Sequence, residues 1–133
     1  MASIEAQLKK IAKKSMVKAD AVVRLTINDI ANNIIIGSPV LDGLFINNWL
    51  SGYSYDRTTH DTKDKSGSKS TGELTQAIAS FDNAKTFYFM NSLPYAKRLE
   101  DGHSQENAPF GMVKINAAKF NTIAQVYVNQ YKN

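Results

Sequence analysis

The first quarter of the chain carries apolar residues at the spacing of an amphipathic helix. The steps between them are mostly three and four residues, which places the side chains on one side of a helix. Ser3 is a suitable N-cap, Gly37 suits the turn after a helix, and Pro39 prevents continuation. We therefore predict a helix over residues 3–36. The apolar stripe consists of Ile4, Leu8, Ile11, Ala12, Ala19, Val22, Val23, Ile30 and Ile34.

Two segments have the composition of β-strands. Residues 44–54 are rich in aromatic and β-branched side chains, and they include Trp49, the only tryptophan. Residues 85–91 alternate, with two phenylalanines on one face and Tyr88 and Met90 on the other. We predict a strand in each segment. We also expect Trp49 to anchor the core, with stacking on a ligand as the alternative.

Shorter periodic segments predict the remaining elements. The pattern of residues 73–81 indicates a helix, with Ser70 or Thr71 as its cap. Pro94 starts a short helical turn or extended segment. The apolar stripe near the carboxyl end predicts a helix from about residue 117, with an optional short strand at 111–116.

Residues 56–72 are almost wholly polar and show neither apolar period. This pattern predicts a long surface loop, mobile in a lone domain or ordered against a neighbour in an assembly. Its basic side chains are candidates for contacts between subunits or with a channel. They are Arg57, Lys63, Lys65 and Lys69.

The order of these elements predicts one α+β domain over residues 1–133. A small antiparallel sheet would be packed by a long N-terminal helix and a C-terminal helix, with the long polar loop between them. The composition agrees, since 43% hydrophobic and 21% charged residues are typical of a globular domain. No 20–50-residue repeat is visible, which argues against a solenoid.

Charge and composition narrow the choice of function. The chain has no cysteine, which excludes disulfides and thiolate metal sites. No apolar run approaches the ~20 residues that span a membrane, and no signal sequence is visible, so we expect assembly in the cytoplasm.

Residues 1–24 alone carry a net charge of +4. This basic face could contact nucleic acid, an acidic partner or only solvent. Its candidate contact residues are Lys9, Lys10, Lys13 and Lys14.

No pattern for catalysis stands out. Glu100, Asp101 and His103 are close in sequence, but their spacing fits no known metal-binding or acid–base motif. His60 lies in the polar loop, and the GSKSTG stretch at residues 67–72 lacks the spacing of a phosphate-binding loop. We therefore expect no enzymatic activity, no cofactor and no metal. A role for the three clustered residues in catalysis is kept as a weaker alternative.

The segment NSLPYAKRLEDGHSQENAPFGMV resembles a recurring segment of tailed-phage neck and tail-completion proteins. Those proteins carry N-x-x-P-Y-A, then L-E-x-G, then A-P-x-G-M-V. The matching residues are Asn91, Pro94, Tyr95, Ala96, Leu99, Glu100, Gly102, Ser104, Gln105, Ala108, Pro109, Gly111, Met112 and Val113.

A second block, SPVLDGLFINNWLSGYS, is similar to the family segment S-P-V-D-T-G-x-x-R-x-x-W. Leu41 and Asp42 replace the usual Asp-Thr, and Ile46 or Asn47 stands where arginine is common. The fitting residues are Ser38, Pro39, Val40, Gly43, Asn48 and Trp49. The resemblance covers most of residues 38–120.

The resemblance implies a virion protein at the head–tail junction, as a neck, tail-terminator or tail-completion subunit. It implies a closed ring, of roughly six or twelve copies, between the connector and tail-tube proteins. DNA would pass through the ring without sequence-specific contact. Binding of nucleic acid by the basic N-terminal helix is the alternative function. The motif residues expected to hold the fold or the assembly are Trp49, Asn91, Pro94, Tyr95, Leu99, Glu100, Gly102, Pro109 and Gly111.

Overall fold

The computed structural model has an α+β fold with helices at both ends, as predicted. Its longest element is the first helix. The structure describes residues 4–102 and 111–131, without the side chains of residues 5–17. The elements are α1 (Ile4–Ile36), β1 (Trp49–Gly52), α2 (Ser68–Ala79), β2 (Tyr88–Asn91), α3 (Ala96–Glu100), α4 (Val113–Ala117) and α5 (Phe120–Gln130).

Helix α1 matches the prediction for residues 3–36 closely. Its 33 residues correspond to about 50 Å. Its last turns stay helical despite their β-branched residues, and the Ser38 hydroxyl donates a hydrogen bond of 2.8 Å to the Ile34 carbonyl at the end. Helix α5 packs along α1, where the Tyr127 hydroxyl donates a hydrogen bond to the Asp29 carboxylate. The two predicted terminal helices therefore pack against each other.

The sheet consists of two antiparallel strands, with Trp49 paired to Asn91 and Gly52 paired to Tyr88. Strand β1 is much shorter than the predicted residues 44–54. The preceding residues form a turn instead, because Asn47 donates from its side-chain amide to the Gly43 carbonyl at 2.7 Å. Asn48 makes the equivalent bond to the carbonyl four residues before it, also at 2.7 Å. These local bonds compete with strand formation.

The core is built around Trp49, which is 3% exposed, so the prediction of a core anchor is confirmed. Its ring stacks on Phe89 with centroids 4.9 Å apart and meets Phe45 edge-on at 5.6 Å. The indole N–H donates to the Ser38 hydroxyl at 2.9 Å, and the backbone N–H donates to the Ser70 hydroxyl at 3.1 Å. Both N–H groups of this buried residue are therefore satisfied, as burial of polar groups requires.

The predicted polar loop ends earlier than expected, because α2 begins at Ser68 rather than at residue 73. The predicted caps, Ser70 and Thr71, are inside the helix, so that prediction is wrong. The residue before the helix is Gly67, with φ of 72°, a conformation that glycine adopts without strain. Asp64 supports the turn, since its carboxylate accepts a hydrogen bond of 3.0 Å from the Ser66 N–H. The apolar periodicity of the sequence could not predict these turn bonds, so it could not predict the start of α2.

Two buried asparagines hold the remaining loop, residues 56–67, against the body of the protein. Asn48 donates to the carbonyl of His60 at 3.1 Å and accepts from its N–H at 2.7 Å. Asn47 donates to the Asp64 carbonyl and accepts from the Lys69 N–H at 3.2 Å. The loop is thus attached at two places by side chains with no exposed surface.

The optional strand at residues 111–116 is wrong, because residues 113–117 form helix α4. The helix predicted from about residue 117 is divided into α4 and α5 by a turn at Ala118 and Lys119. The early start of α4 depends on a carboxylate from the preceding helix, described below.

Replacing Asn48 should destabilise the protein strongly. Asn48→Ala removes a fully buried amide and leaves the partly buried backbone groups of His60 and Leu44 without these partners, and we expect a loss of about 2–4 kcal/mol in the free energy of unfolding. Urea unfolding measures the change. Asn33→Ala, at an exposed position of α1, is the control and should change the value by less than about 0.5 kcal/mol. Equal effects of the two substitutions would contradict the proposed attachment of the loop.

Candidate functional site

Several of the residues that carry the resemblance meet around the carboxylate of Glu100. Its Oε1 accepts hydrogen bonds from the N–H groups of Met112 at 2.6 Å and Val113 at 2.8 Å, and its Oε2 accepts one from Lys114 at 2.9 Å. We call this arrangement the Glu100 clamp. It satisfies three N–H groups at the start of α4 and ties α3 to α4.

The clamp leaves no space for a side chain at Gly111. This residue has φ of 80°, and a Cβ atom there would lie 2.2 Å from the Glu100 carbonyl oxygen. Gly102, with φ of 91°, also occupies the left-handed region. The two motif glycines at the ends of the segment 103–110 therefore have structural reasons to be glycine.

Glu100 is held in its ionised form. Burial favours the neutral acid, but the hydrogen bonds from Met112, Lys114 and Val113 outweigh it, and the pKa of Glu100 falls below its ordinary value of 4.5. Both carboxylate oxygens are thus engaged in holding the backbone. Asp101 is exposed beside them, and His103 lies outside the described residues. The geometry therefore favours a structural role for Glu100 over the weaker catalytic alternative.

Other motif residues lie in β2 and in the segment that leads to Glu100. Asn91 donates to the Phe45 carbonyl at 3.0 Å and accepts from the Leu93 N–H at 3.2 Å. Leu99 packs against the core, and the Tyr95 ring lies 5.9 Å from that of Phe45. Burial, with a smaller effect of a nearby carboxylate, raises the pKa of Tyr95.

Pro94 is exposed in the turn before α3. Pro109 lies outside the described residues.

The basic residues of the predicted loop do not converge on one point. Lys69 bonds to Glu73 at 2.5 Å, within α2. Lys63 lies 3.6 Å from Asp42, an exposed pair of little energetic value. The other two, Arg57 and Lys65, are exposed, and the Arg57 guanidinium lies 5.5 Å from the ring of Tyr55. The candidate contact residues Lys9, Lys10, Lys13 and Lys14 lie on α1, and their side chains are outside the described part.

A polar pocket of about 260 Å³ next to β1 contains His60, Asp56 and Glu73. Its two carboxylates already have partners, since Asp56 accepts from the Thr58 N–H at 2.8 Å and Glu73 bonds to Lys69. Neither carboxylate is therefore free to act with His60 in acid–base chemistry. Among the described residues, no group of three or more histidine, aspartate or glutamate side chains is placed to hold a metal ion.

An apolar groove lies between α1, β2 and the carboxyl-terminal helices. It has a volume of about 190 Å³. We call it the α1–α5 groove, and it is lined among others by Ile27, Ile34, Phe87, Phe89, Val113 and Phe120. The groove could not be predicted from local periodicity, because it joins residues almost a hundred positions apart in the chain. Its walls had separate signals in the sequence, namely the apolar stripe that includes Val113 and Phe120 and the alternating phenylalanines of residues 85–91.

A second apolar surface follows the end of α1. Ile36 is 79% exposed, Leu41 is 91% exposed, and Val40 is also exposed. We call these three residues the Leu41 knob. The sequence indicated this surface, because position 41 is aliphatic where the resembled segment has a polar residue.

Comparison with protein-family models, curated proteins and solved structures finds no match to this chain. In residues 4–102 and 111–131, no helix is both long and apolar enough to cross a membrane.

Removing the clamp carboxylate should destabilise the protein in a pH-dependent way. We expect Glu100→Ala to cost about 1–3 kcal/mol near pH 7, because three backbone donors lose a charged acceptor that solvent partly screens. The native pKa is lowered, so the clamp stabilises fully above pH 4.5, and this stabilisation disappears as the pH falls through the native value. The measurement is urea unfolding from pH 7 to pH 3.

The matched control is Asp101→Ala, which removes an adjacent exposed carboxylate. Its unfolding free energy should stay within about 0.5 kcal/mol of the original protein. The difference between the Glu100→Ala variant and the original protein should shrink towards pH 3. A difference that is independent of pH would refute the clamp.

A methyl group at Gly111 should disrupt the same contact from the other side. Gly111→Ala combines a left-handed backbone with a clash against Glu100, and we expect a loss of more than about 2 kcal/mol. Gly72→Ala is the control, because a Cβ there meets nothing within 4 Å. Thermal or urea unfolding of both variants tests this. Equal tolerance of alanine at the two positions would rule out the close approach.

Proposed function

We propose that this chain is a structural virion protein of a tailed phage that forms a homo-oligomeric ring at the head–tail junction. The ring acts as a neck, tail-terminator or tail-completion component, joins the tail to the capsid connector, and lines the passage of DNA. The observation that carries the proposal is the Glu100 clamp. In it, Glu100 from one part of the resembled segment meets Gly111, Met112 and Val113 from another part.

The exposed apolar surface supports an assembly role. Large apolar side chains at the surface include both the Leu41 knob and part of the C-terminal helices. Sizeable exposed apolar patches are typical of surfaces that bind other proteins. The C-terminal examples are Val113, Ile115, Phe120, Val126, Val128 and Tyr131.

The dimensions of α1 support the same role. It has 33 residues, whereas α2 has 12 and α5 has 11. Among the residues whose side chains are described, its buried positions begin only at Thr26. Ile4, at the opposite end of the helix, is strongly exposed. A helix of this length, with an exposed residue at its first position, is long enough to reach a neighbouring subunit.

Loss of the gene should separate heads from tails. In the phage that encodes the chain, deletion should yield DNA-filled heads and unattached tails in negative-stain micrographs, with infectivity lost. A plasmid copy of the original gene should restore joined particles, and the Asp101→Ala copy should do the same. Joined, infectious particles at the usual yield after deletion would contradict the proposed function.

The charge of residues 1–24 favours one second candidate, a module that binds nucleic acid without sequence preference. If that is the function, affinity for duplex DNA falls steeply with salt, with a logarithmic slope of about −0.9 for each phosphate neutralised. Fluorescence anisotropy at several salt concentrations measures this slope. If the chain instead lines a DNA passage, we expect no measurable binding to duplex DNA at ~100 mM salt, because the passage must not retain DNA. Tight binding that is lost when Lys9, Lys10, Lys13 and Lys14 become glutamine would favour the second candidate.

A further inference from the structure

We propose that Arg57, held against the ring of Tyr55, anchors an acidic segment of a partner protein. An aspartate or glutamate side chain of that partner makes the contact with the guanidinium. We call the group of Tyr55, Arg57 and Tyr88 the Arg57 platform. The inference concerns a binding surface, and it does not depend on the position of the chain in a virion.

The Arg57 guanidinium has a fixed orientation although it lies at the surface. Its Nε donates a hydrogen bond of 3.2 Å to the Tyr55 hydroxyl, and its central carbon lies 5.5 Å from the centre of the Tyr55 ring. The Tyr55 ring meets the Tyr88 ring edge-on, with centroids 6.2 Å apart. Tyr88 belongs to β2 and pairs with Gly52 of β1. The sheet therefore supports Arg57 through two aromatic rings.

The backbone beneath the platform is attached at both ends. The Asp56 N–H donates to Sδ of Met90, in β2, at 3.4 Å. Three residues after Arg57, the N–H of His60 donates to the buried side chain of Asn48 at 2.7 Å. Arg57 lies between these two attachments, so it has little conformational freedom to lose when a partner binds.

The terminal amino groups of Arg57 have no acidic partner in the described part of the chain, where no ion pair involves this residue. The adjacent carboxylate, that of Asp56, accepts a hydrogen bond from the Thr58 N–H at 2.8 Å and lines the polar pocket that contains His60. A guanidinium whose Nε is already bonded keeps the donors of its terminal amino groups, which can bind both oxygens of a carboxylate.

The other basic residues of the predicted loop lack this arrangement. Lys63 and Lys69 each pair with a carboxylate of the same chain. Lys65 is exposed, and among the described residues it contacts no aromatic ring. Arginine and tyrosine are enriched among residues that dominate binding energy, whereas lysine is depleted at interfaces. Of the four candidate basic residues, Arg57 is thus the one with an oriented cation.

The charges around the platform favour a carboxylate over a nucleic acid. Residues 53–67 contain three aspartates, one arginine and two lysines, so the segment has no net charge. Nucleic acid is retained by several cations that act together, which one guanidinium in neutral surroundings cannot replace. A carboxylate needs only one correctly oriented guanidinium.

The charge of the whole chain favours a different protein over a second copy. The net charge is +4, so two copies repel each other, whereas an acidic protein is attracted. The acidic residues of the chain are also dispersed. The only adjacent pair is Glu100 and Asp101, and the Glu100 carboxylate is occupied in the clamp.

Peptide selection with two charge-matched variants tests the proposal. Short random peptides, displayed on ribosomes, are selected on the original protein, and the enriched peptides are synthesised with a fluorescent label. Fluorescence anisotropy then measures their affinity for the original protein, for Arg57→Gln and for Lys65→Gln. Each substitution removes one exposed positive charge. Unchanged urea unfolding midpoints show that both variants fold.

We expect the enriched peptides to contain aspartate or glutamate. Arg57→Gln should weaken their binding roughly tenfold or more, as expected at an anchoring residue, and Lys65→Gln should change it by less than about twofold. Tyr55→Leu, which keeps the cation but removes its support, should also weaken binding. Changing the acidic residue of the peptide to its amide should weaken binding to the original protein but hardly to Arg57→Gln, because the two groups contact each other.

Several results would overturn the proposal. Enriched peptides without acidic residues, or no enrichment, would mean that the platform binds no carboxylate. Equal losses for Arg57→Gln and Lys65→Gln would mean that only net charge matters. Displacement of the peptide by an equal concentration of a single-stranded oligonucleotide would indicate a nucleic acid ligand. Self-association that is lost in Arg57→Gln, measured by sedimentation, would indicate a second copy as the partner.

Discussion

The buried indole of Trp49 is the point on which the other parts of this protein depend. Its ring stacks on Phe89 of β2, and its two N–H groups bond to Ser38 after α1 and to Ser70 in α2. One side chain thus fixes the end of α1, the first turn of α2 and the position of the second strand. A two-stranded sheet is only marginally stable by itself. Here it persists because the helices are attached to it through this residue.

Hydrogen bonds from three polar side chains to the backbone fix the positions of the remaining segments. Asn47 and Asn48 have no exposed surface, and each bonds both to its own turn and to the polar segment that follows β1. Glu100 performs the same task at the start of α4. Each of these side chains gives a segment with few apolar residues a fixed position. The Glu100 clamp also holds Val113 beside the α1–α5 groove.

The sequence predicts the parts of the fold that depend on local periodicity. Helix α1 agrees with its prediction almost to the residue, and the second strand lies within the predicted range. The turn before Trp49, the start of α2 and the start of α4 could not be predicted. Each is determined by side-chain bonds to backbone, in the last case between residues 12 to 14 positions apart. The motif around Glu100 could be recognised in the sequence, but only the structure shows that its carboxylate holds the backbone at the start of α4. The groove was invisible, because it combines side chains from distant segments.

We propose that this fold serves as a repeated subunit at the head–tail junction of a virion. The most direct measurement is a cryo-electron microscopy map of the neck in purified particles of the phage that encodes the chain. We predict a ring of density at the junction that accepts repeated copies of this fold. A neck map in which every ring is explained by other proteins, with no density for this fold, would contradict the claim.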